Sequence, residues 1–173
     1  MGLPKENFTN SYIVYAFIRG LNFVIENDIR RTIKNEELTF PGFRILWILY
    51  FHTTLRMSEL TFLAQTNISN VFRQLTKLKE VGLVVIENGD DARTKKIALT
   101  KDGRDIVKHF LATQTSQPEL EITQFIENIP KEDLSAFIKV STLLSNELIG
   151  PNFTNFVTKS VKDILSPSTP MNK

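Results

Sequence analysis

The stretch from Asn67 to Thr100 decides the fold; it reads NISNVFRQLTKLKEVGLVVIENGDDARTKKIALT. The asparagine at its start is a good helix N-cap, and apolar residues then recur at spacings of three and four. Gly82 follows, a residue able to end a helix in the left-handed conformation. The pattern predicts a helix over 67–81 whose apolar face consists of Ile68, Val71, Phe72, Leu75 and Leu78.

The sequence changes its period immediately after this helix. Residues 83–86 (LVVI) form a run rich in β-branched residues, residues 88–91 (NGDD) have the composition of a turn, and residues 96–99 (KIAL) have the pattern of a return strand. This succession is typical of a two-stranded hairpin. We therefore expect a small β-hairpin directly after the helix.

Helical periodicity continues on both sides of this unit. Thr39 can cap a helix that has Pro41 in its first turn and is apolar nearly all round, which predicts a buried helix. Thr100 can cap another helix. Further helices are predicted over 12–34, near 58–64, and over 119–128, 131–148 and 152–165, with Pro118, Pro130 and the Gly150-Pro151 pair at the joints of the tail.

The order of these elements indicates a fold class. A helix, a turn, a capped helix and a hairpin in succession are the layout of a winged helix-turn-helix. We expect a mainly α fold with a small β-hairpin. Residues 1–36 form an N-terminal helix, residues 37–116 the winged helix-turn-helix domain, and residues 117–173 a C-terminal helical extension.

The charge is distributed unevenly along the chain. The net charge is only +2, which by itself says little about partners. Residues 66–104 contain eight basic and five acidic residues, whereas residues 117–173 contain five basic and seven acidic ones. A basic middle and a mildly acidic tail suit a polyanion-binding centre flanked by a protein–protein element.

The polar face of the predicted 67–81 helix has groups that suit DNA. The major groove of B-DNA accepts one α-helix, and asparagine, glutamine and arginine match the edges of adenine and guanine. A solvated helix face without function is the alternative for these side chains. The predicted DNA-binding residues of this helix are Asn67, Ser69, Asn70, Arg73, Gln74 and Lys77.

The hairpin tip has the chemistry of a DNA-binding wing. We predict that Arg93 enters the narrow minor groove, and that Lys95 and Lys96 contact phosphates. An aspartate beside DNA is unfavourable unless it is paired. We therefore predict that Asp91 orients a basic side chain of the wing, with Arg93 as the nearest candidate; a plain turn residue is the alternative.

The composition argues against catalysis. The chain has no cysteine, which excludes disulfides, thiolate catalysis and cysteine-ligated zinc. His52 and His109 are the two histidines, and neither has a metal-ligand spacing. The seven glycines are scattered, and nucleophile-elbow and paired-histidine motifs are absent. We expect no enzyme activity, no metal and no cofactor.

The sequence shows no membrane or export signal. The longest strongly apolar stretch, residues 43–51, is interrupted by Arg44 and is too short to span a bilayer. The N-terminus lacks a basic segment followed by an apolar core and a small-residue cleavage site. We therefore expect a cytoplasmic protein without a membrane partner.

Four segments together resemble the MarR family of transcriptional regulators. They are Ser58-Glu59-Leu60, residues 78–84 (LKEVGLV), Asp91-Ala92-Arg93 and residues 99–103 (LTKDG). The last two look like the family's aspartate-any-arginine wing motif and its LT-x-x-G signature between a strand and a helix. Residues 45–50 and 67–72 look especially like the Hpr branch, regulators of protease production whose members have extra helices after the winged domain.

The resemblance implies an assembly and a function. It implies a homodimer, with residues 1–36 and 117–173 contributing to dimerisation, whose two wings and two recognition helices bind a pseudo-palindromic operator in double-stranded DNA. We expect a sequence-specific transcriptional regulator, and a repressor acting by promoter occlusion rather than an activator. The alternative is a winged-helix protein-interaction module without DNA binding, which the modest net charge leaves open.

Two features qualify this expectation. Trp47, Tyr50 and Phe51 fit either the core or a pocket for a small-molecule effector, so an effector is left open. The family's usual basic residues before the wing aspartate are replaced here by residues 87–90 (ENGD). This departure predicts a weaker grip on phosphates by the wing, or an altered sequence preference.

Overall fold

The computed structural model describes residues 4–33, 38–52, 54–89 and 95–166. Within them, eight helices and a three-stranded sheet confirm the predicted fold class, mainly α with a small β element. The helices are α1 (Pro4–Thr32), α2 (Phe40–Phe51), α3 (Met57–Ala64), α4 (Ile68–Glu80), α5 (Lys101–Ser116), α6 (Glu121–Ile126), α7 (Lys131–Leu148) and α8 (Pro151–Leu165). The strands are β1 (Leu55–Arg56), β2 (Val84–Asn88) and β3 (Lys95–Leu99).

Helix α2 is the centre of the core, as its all-round apolar sequence predicts. The Thr39 side chain caps it by accepting a hydrogen bond from the backbone N of Gly42, and Pro41 lies in its first turn. Leu46 and Leu49 have no exposed surface. Helices α3, α4, α5 and α8 and strand β3 all pack against α2.

The sequence allowed two places for three aromatic residues of α2, the core or an effector pocket. The structure packs them with the core. Phe51 is buried, and Trp47 and Tyr50 are half-buried against the same cluster. The Trp47 and Phe51 ring centroids lie 5.2 Å apart, and Phe110 of α5 packs 4.8 Å from the ring of Phe43. This aromatic layer joins α2 to α5.

The sheet has one strand more than the hairpin prediction allowed. Strands β2 and β3 pair antiparallel, with Val84 opposite Leu99 and Glu87 opposite Lys96. The two-residue strand β1 pairs with the other edge of β3, which places Leu55 opposite Ile97. The prediction of a two-stranded hairpin was therefore incomplete, because so short a strand has no periodicity of its own.

The joint between β3 and α5 is held against the end of α4. The Thr100 hydroxyl donates to the backbone O of Gly82 (2.8 Å) and accepts from the backbone N of Gly103 (3.1 Å). Gly82 itself has a φ of 74°, the left-handed conformation predicted for this position. One threonine therefore caps α5 and fixes its start to the turn that follows α4.

Most of helix α1 is exposed. It begins at Pro4, earlier than the predicted start near Tyr12, and every residue from 4 to 24 is exposed. Only the last two turns pack within the chain, against α2 and α6. The exposed part includes ten large apolar side chains: Phe8, Tyr12, Ile13, Val14, Tyr15, Phe17, Ile18, Leu21, Phe23 and Val24.

The tail returns to the winged domain. Helices α7 and α8 pack against each other, and α8 also contacts α2 and α3. Phe156 of α8 belongs to the buried core, and the Lys159 ammonium donates to the backbone O of Phe51 (3.0 Å). Helix α7 keeps a row of apolar side chains exposed: Phe137, Ile138, Val140, Leu143, Leu144 and Leu148. Over the described residues, none of these helices combines the length and apolarity that a membrane span requires.

A buried carboxylate fastens α1 to α6. Asp28 is buried, and its Oδ2 accepts a hydrogen bond from the backbone N of Glu121 at 2.7 Å. We expect Asp28→Ala to lower the free energy of unfolding by about 1–3 kcal/mol, because the backbone N–H of Glu121 loses a charged acceptor. Glu121→Ala is the matched control, since it removes only the exposed ion pair with Arg31 and should cost at most about 1 kcal/mol. Equal losses in urea titrations of both variants would contradict this assignment.

His52 makes the stability dependent on pH. Burial, and then the positive charge of Lys159, lower the pKa of His52 below its ordinary value of 6.5. The folded chain therefore keeps the imidazole neutral at a pH where the unfolded chain protonates it, so stability is lost as the pH falls below 6.5. We expect His52→Phe to flatten the decline of the unfolding free energy between pH 7 and 5. Parallel pH curves for the wild type and His52→Phe would refute the prediction.

Candidate nucleic-acid interface

Helix α4 separates a buried face from an outward face. Val71, Leu75 and Leu78 are buried against the core, as the sequence predicts. The Asn67 side chain caps the helix by accepting a hydrogen bond from the backbone N of Asn70 at 2.8 Å. The exposed residues define the outward face of α4: Ile68, Ser69, Phe72, Arg73, Thr76, Lys77, Lys79 and Glu80.

The structure corrects the predicted role of Gln74. This residue is only 5% exposed, and its Oε1 accepts a hydrogen bond from the Thr39 hydroxyl at 2.8 Å. The prediction that Gln74 lies on the polar, DNA-facing side is wrong, because it stands one turn from both Val71 and Leu78 and shares their face. Gln74 instead ties α4 to the residue that caps α2.

The structure also corrects the predicted burial of two apolar residues of α4, which are exposed rather than buried. Ile68 and Phe72 were predicted on the core face, but they are 58% and 63% exposed. Ile68 lies at the very start of the helix, beyond the end of the core, and Phe72 lies at the margin of the buried face. The outward face is therefore more apolar than its predicted composition.

A hydrogen-bond network orients the arginine of this face. The amide Nδ2 of Asn70 donates to the Thr66 hydroxyl (3.1 Å), and its Oδ1 accepts from the guanidinium of Arg73 (3.0 Å). Asn70 is half-buried, so its side chain positions Arg73 at the N-terminal half of α4. Ser69, Arg73 and Lys77 are the predicted residues of α4 whose side chains remain exposed without a capping or core role.

The wing is described only at its base. Lys95 begins β3, is exposed, and donates from Nζ to Oδ1 of Asn88 at 2.6 Å. Lys96 follows and is half-buried. Asp91 and Arg93, the predicted orienting and minor-groove residues, lie outside the described residues. Their roles stay predictions.

Sequence reasoning missed two exposed residues near this site. Thr76 lies on the outward face of α4, one turn after Phe72, and its position could be found by counting turns from Val71 and Leu75. Arg56 is exposed on β1, opposite Lys96 on β3. No local signal indicates Arg56, because its position depends on a strand pairing across 40 residues of chain.

A small cleft adjoins the inner side of α4. It has a volume of about 180 Å³ and lies between the end of α1, the start of α2 and the residues Asn70 and Gln74. Arg30 and Arg44 line it. Burial lowers the pKa of the Arg44 guanidinium, and the carboxylate of Glu26 acts in the opposite direction. Glu26 also lines the cleft and lies 3.9 Å from Arg30, so the cleft is polar, with charges of both signs and an excess of one positive charge.

No group of three or more histidine, aspartate or glutamate side chains is placed to hold a metal ion in the part of the chain that the structure describes. The outward face of α4 instead presents basic side chains and hydroxyl groups. It has no acidic cluster, since Glu80 is the one acidic residue of this helix. Such a surface suits a polyanion rather than a cation.

These features define a winged helix-turn-helix protein: α3 and α4 form the helix-turn-helix, and β2 and β3 form the base of a wing behind it. The model of the MarR family matches residues 38–95, about a third of the chain, so this segment is similar to MarR-family domains. The resemblance seen in the sequence is thereby confirmed. The family consists of transcriptional regulators, which agrees with the prediction that the chain is not an enzyme.

Individual relatives support the same assignment. The chain is 31% identical over 110 residues to the HTH-type transcriptional regulator Hpr of Geobacillus thermodenitrificans, covering 63% of this chain and 55% of that protein. It spans about half the length of the curated relatives that it matches. A MarR-family transcriptional regulator from Silicibacter pomeroyi shares the fold, with a TM-score of 0.62 and 23% identity over 79% of this chain and 90% of that one. So does overoxidized AbfR in a DNA-bound crystal structure, with a TM-score of 0.63 and 14% identity over 84% of this chain and all of that one.

Proposed function

We propose that this chain is a sequence-specific, dimeric DNA-binding transcriptional regulator that represses by occluding a promoter. The observation that carries the proposal is the outward face of α4, where Ser69, Arg73 and Lys77 are exposed together on a capped helix beside the wing. In this proposal the face enters the major groove, and Lys95 and Lys96 contact the flanking phosphates. Overoxidized AbfR, which has the same fold, was crystallised bound to DNA, and this supports DNA as the ligand.

The exposed part of α1 supports the homodimer. A helix with this many large apolar side chains normally buries them, yet residues 4–24 are all exposed within the chain. The partner that fits is a second copy, whose α1 and α7 offer the same apolar surface. We therefore propose that residues 1–36 and 117–173 contribute to dimerisation and that residues 37–116 bind a pseudo-palindromic operator in the cytoplasm.

The alternative function has one observation in its favour. Exposed Ile68 and Phe72 on the outward face of α4 would suit a winged-helix module that binds a protein rather than DNA. The basic residues of the same face favour DNA. The two functions differ in a measurable way, since only the first predicts discrimination among duplex sequences.

A selection experiment tests the proposed function. Purified chain is incubated with fragments of the host genome, and the bound fragments are sequenced and titrated by mobility shift against a scrambled duplex of equal length. We expect a common pseudo-palindromic site, bound about 10³-fold or more tightly than the scrambled duplex, with affinity falling steeply as salt rises. Equal affinity for both duplexes would reject sequence-specific binding and favour the protein-interaction module.

A second experiment tests the dimer. Phe17→Glu places a charge within the exposed apolar part of α1, where the protomer itself is not disturbed. We propose that this variant sediments as a monomer at concentrations where the wild type sediments as a dimer. Val81→Glu, at a 65% exposed apolar position of the winged domain outside both proposed dimerisation segments, is the control and should leave the dimer intact. A wild type that sediments as a monomer would refute the assembly.

A small-molecule effector stays a prediction. The cleft beside Asn70 and Gln74 is the candidate site, and its two arginines favour a small anion. Binding there would act on α4 through the Thr39–Gln74 hydrogen bond.

A further inference from the structure

Three residues on the outward face of α4 form a continuous stripe with little free hydrogen-bonding capacity. Ile68, Phe72 and Thr76 follow one another at intervals of four residues, and all three are exposed. Single exposed apolar residues are ordinary on protein surfaces. Here the ring of Phe72 is 63% exposed one turn from exposed Ile68, so the two residues form an apolar patch. We refer to these three residues as the α4 stripe.

Thr76 offers this stripe a methyl group and a hydroxyl whose donor is already used. Its Oγ1 donates to the backbone O of Phe72 at 3.0 Å, within the helix. The hydroxyl oxygen can still accept a hydrogen bond, but the stripe has no free donor. The α4 stripe therefore presents mainly apolar groups, a methyl group and an aromatic ring among them.

The surroundings of the α4 stripe indicate which partner presents those apolar groups. Ser69 and Arg73 lie along one side of it, and Lys77, Lys79 and the acidic Glu80 lie at its C-terminal end, so basic residues are in excess. A complementary partner has negative charges around scattered apolar points. The major groove of DNA matches this description, with phosphates at its rims and the 5-methyl groups of thymine on its floor, which threonine methyls and phenylalanine rings are known to contact.

We propose that the α4 stripe reads the 5-methyl groups of thymines in the operator, with Phe72 as the principal specificity-determining residue. This inference rests on the proposed function and deepens it, because it names the bases that α4 prefers. Arg73 follows Phe72 directly in the sequence, so the preferred thymines lie next to the base pair that Arg73 contacts. Burying one methyl group on the stripe strengthens binding by about fourfold.

The test replaces single thymines of the selected operator by deoxyuridine, which lacks only the 5-methyl group. Affinity is measured by fluorescence anisotropy for the wild type on each substituted duplex. We expect one or two positions in each half-site where deoxyuridine weakens binding by about fourfold, and no effect at the remaining positions. A wild type that is indifferent to deoxyuridine at every position would overturn the inference.

Variants then assign the methyl recognition to Phe72. Phe72→Ala should bind the thymine and deoxyuridine duplexes equally, and Phe72→Leu, with a smaller apolar side chain, should retain part of the difference. Arg73→Ala should bind both duplexes more weakly while keeping their ratio. Val81→Ala, which trims a side chain that is 65% exposed just after α4 and away from the stripe, is the control and should behave as the wild type.

The outcomes separate the inference from the proposed function. A full thymine preference in Phe72→Ala would assign methyl recognition elsewhere and overturn the inference, while operator binding stands. Failure of the wild type to prefer any duplex sequence would overturn both, and would favour a protein partner for the stripe. Thermal unfolding of each variant confirms that the exposed substitutions leave the fold intact.

Discussion

Arg73→Ala is expected to weaken operator binding by at least about 30-fold, because each of two subunits loses about 1–3 kcal/mol of contact with a base. The side chain is exposed on α4, and Asn70 holds the guanidinium by a 3.0 Å hydrogen bond, so it is oriented before binding. A preoriented planar fork matches the O6 and N7 acceptors of guanine. Anisotropy titrations against the selected operator and a scrambled duplex measure both affinity and specificity.

Two companion variants separate the geometry of Arg73 from its charge. Arg73→Lys retains the charge but loses the fork, so it should keep binding to scrambled DNA while losing preference for the operator. Lys77→Ala should weaken binding to both duplexes to the same extent and reduce the salt slope by about one for each subunit, as expected for a phosphate contact. If Arg73→Ala lost no more specificity than Lys77→Ala, the assignment of base recognition to Arg73 would be wrong.

Gly103→Ala is expected to lower the free energy of unfolding by about 3 kcal/mol, the upper end for forcing a methyl group into a packed site. A Cβ at this position would lie 2.2 Å from the backbone O of Leu83 and 3.3 Å from Cδ2 of Leu99. The Leu83 carbonyl cannot swing away, because it accepts a hydrogen bond from the backbone N of Thr100 at 3.1 Å. The start of α5 must therefore shift as a whole.

Thermal unfolding at a fixed protein concentration measures this effect. A loss of this size lowers the midpoint by about 6–12 °C in a chain of 173 residues. Lys108→Ala, at an exposed position of the same helix, is the control and should change the free energy of unfolding by no more than about 0.5 kcal/mol. An unchanged midpoint for Gly103→Ala would mean that this close approach does not constrain the joint.

The Gly103 contact also explains part of the LT-x-x-G pattern in physical terms. Leu99 contributes its side chain to the core, Thr100 caps α5 and binds the Gly82 carbonyl, and Gly103 lets α5 approach the backbone of Leu83. Together these contacts set the direction in which the chain leaves the wing. The signature is therefore a packing requirement of the strand-to-helix joint.

Local chemistry made much of the fold predictable. Thr39, Asn67 and Thr100 each cap the helix that the sequence assigned to them, because a capping hydrogen bond spans only three residues. Gly82 adopts the left-handed conformation for an equally local reason. Helix α7 begins and ends where its periodicity and Pro130 indicate.

The errors arose where burial depends on distant residues. Gln74 counts as polar in any periodicity argument, yet its amide is satisfied by Thr39, 35 residues earlier in the chain. Phe72 counts as apolar, yet the core does not extend far enough round α4 to cover it. Strand β1 forms because the free edge of β3 lies beside it, which no property of Leu55 and Arg56 reveals.

The central claim is that the outward face of α4 lies in the major groove, and directed DNA cleavage tests it most directly. The chain has no cysteine, so Glu80→Cys provides a single attachment point for an iron chelate on that face, outside the proposed base contacts. We predict two clusters of cuts in the operator, about 10 base pairs apart, and none from the same chelate on Lys139→Cys of α7. Uniform or absent cleavage from Glu80→Cys, with the operator still bound, would contradict the placement of α4.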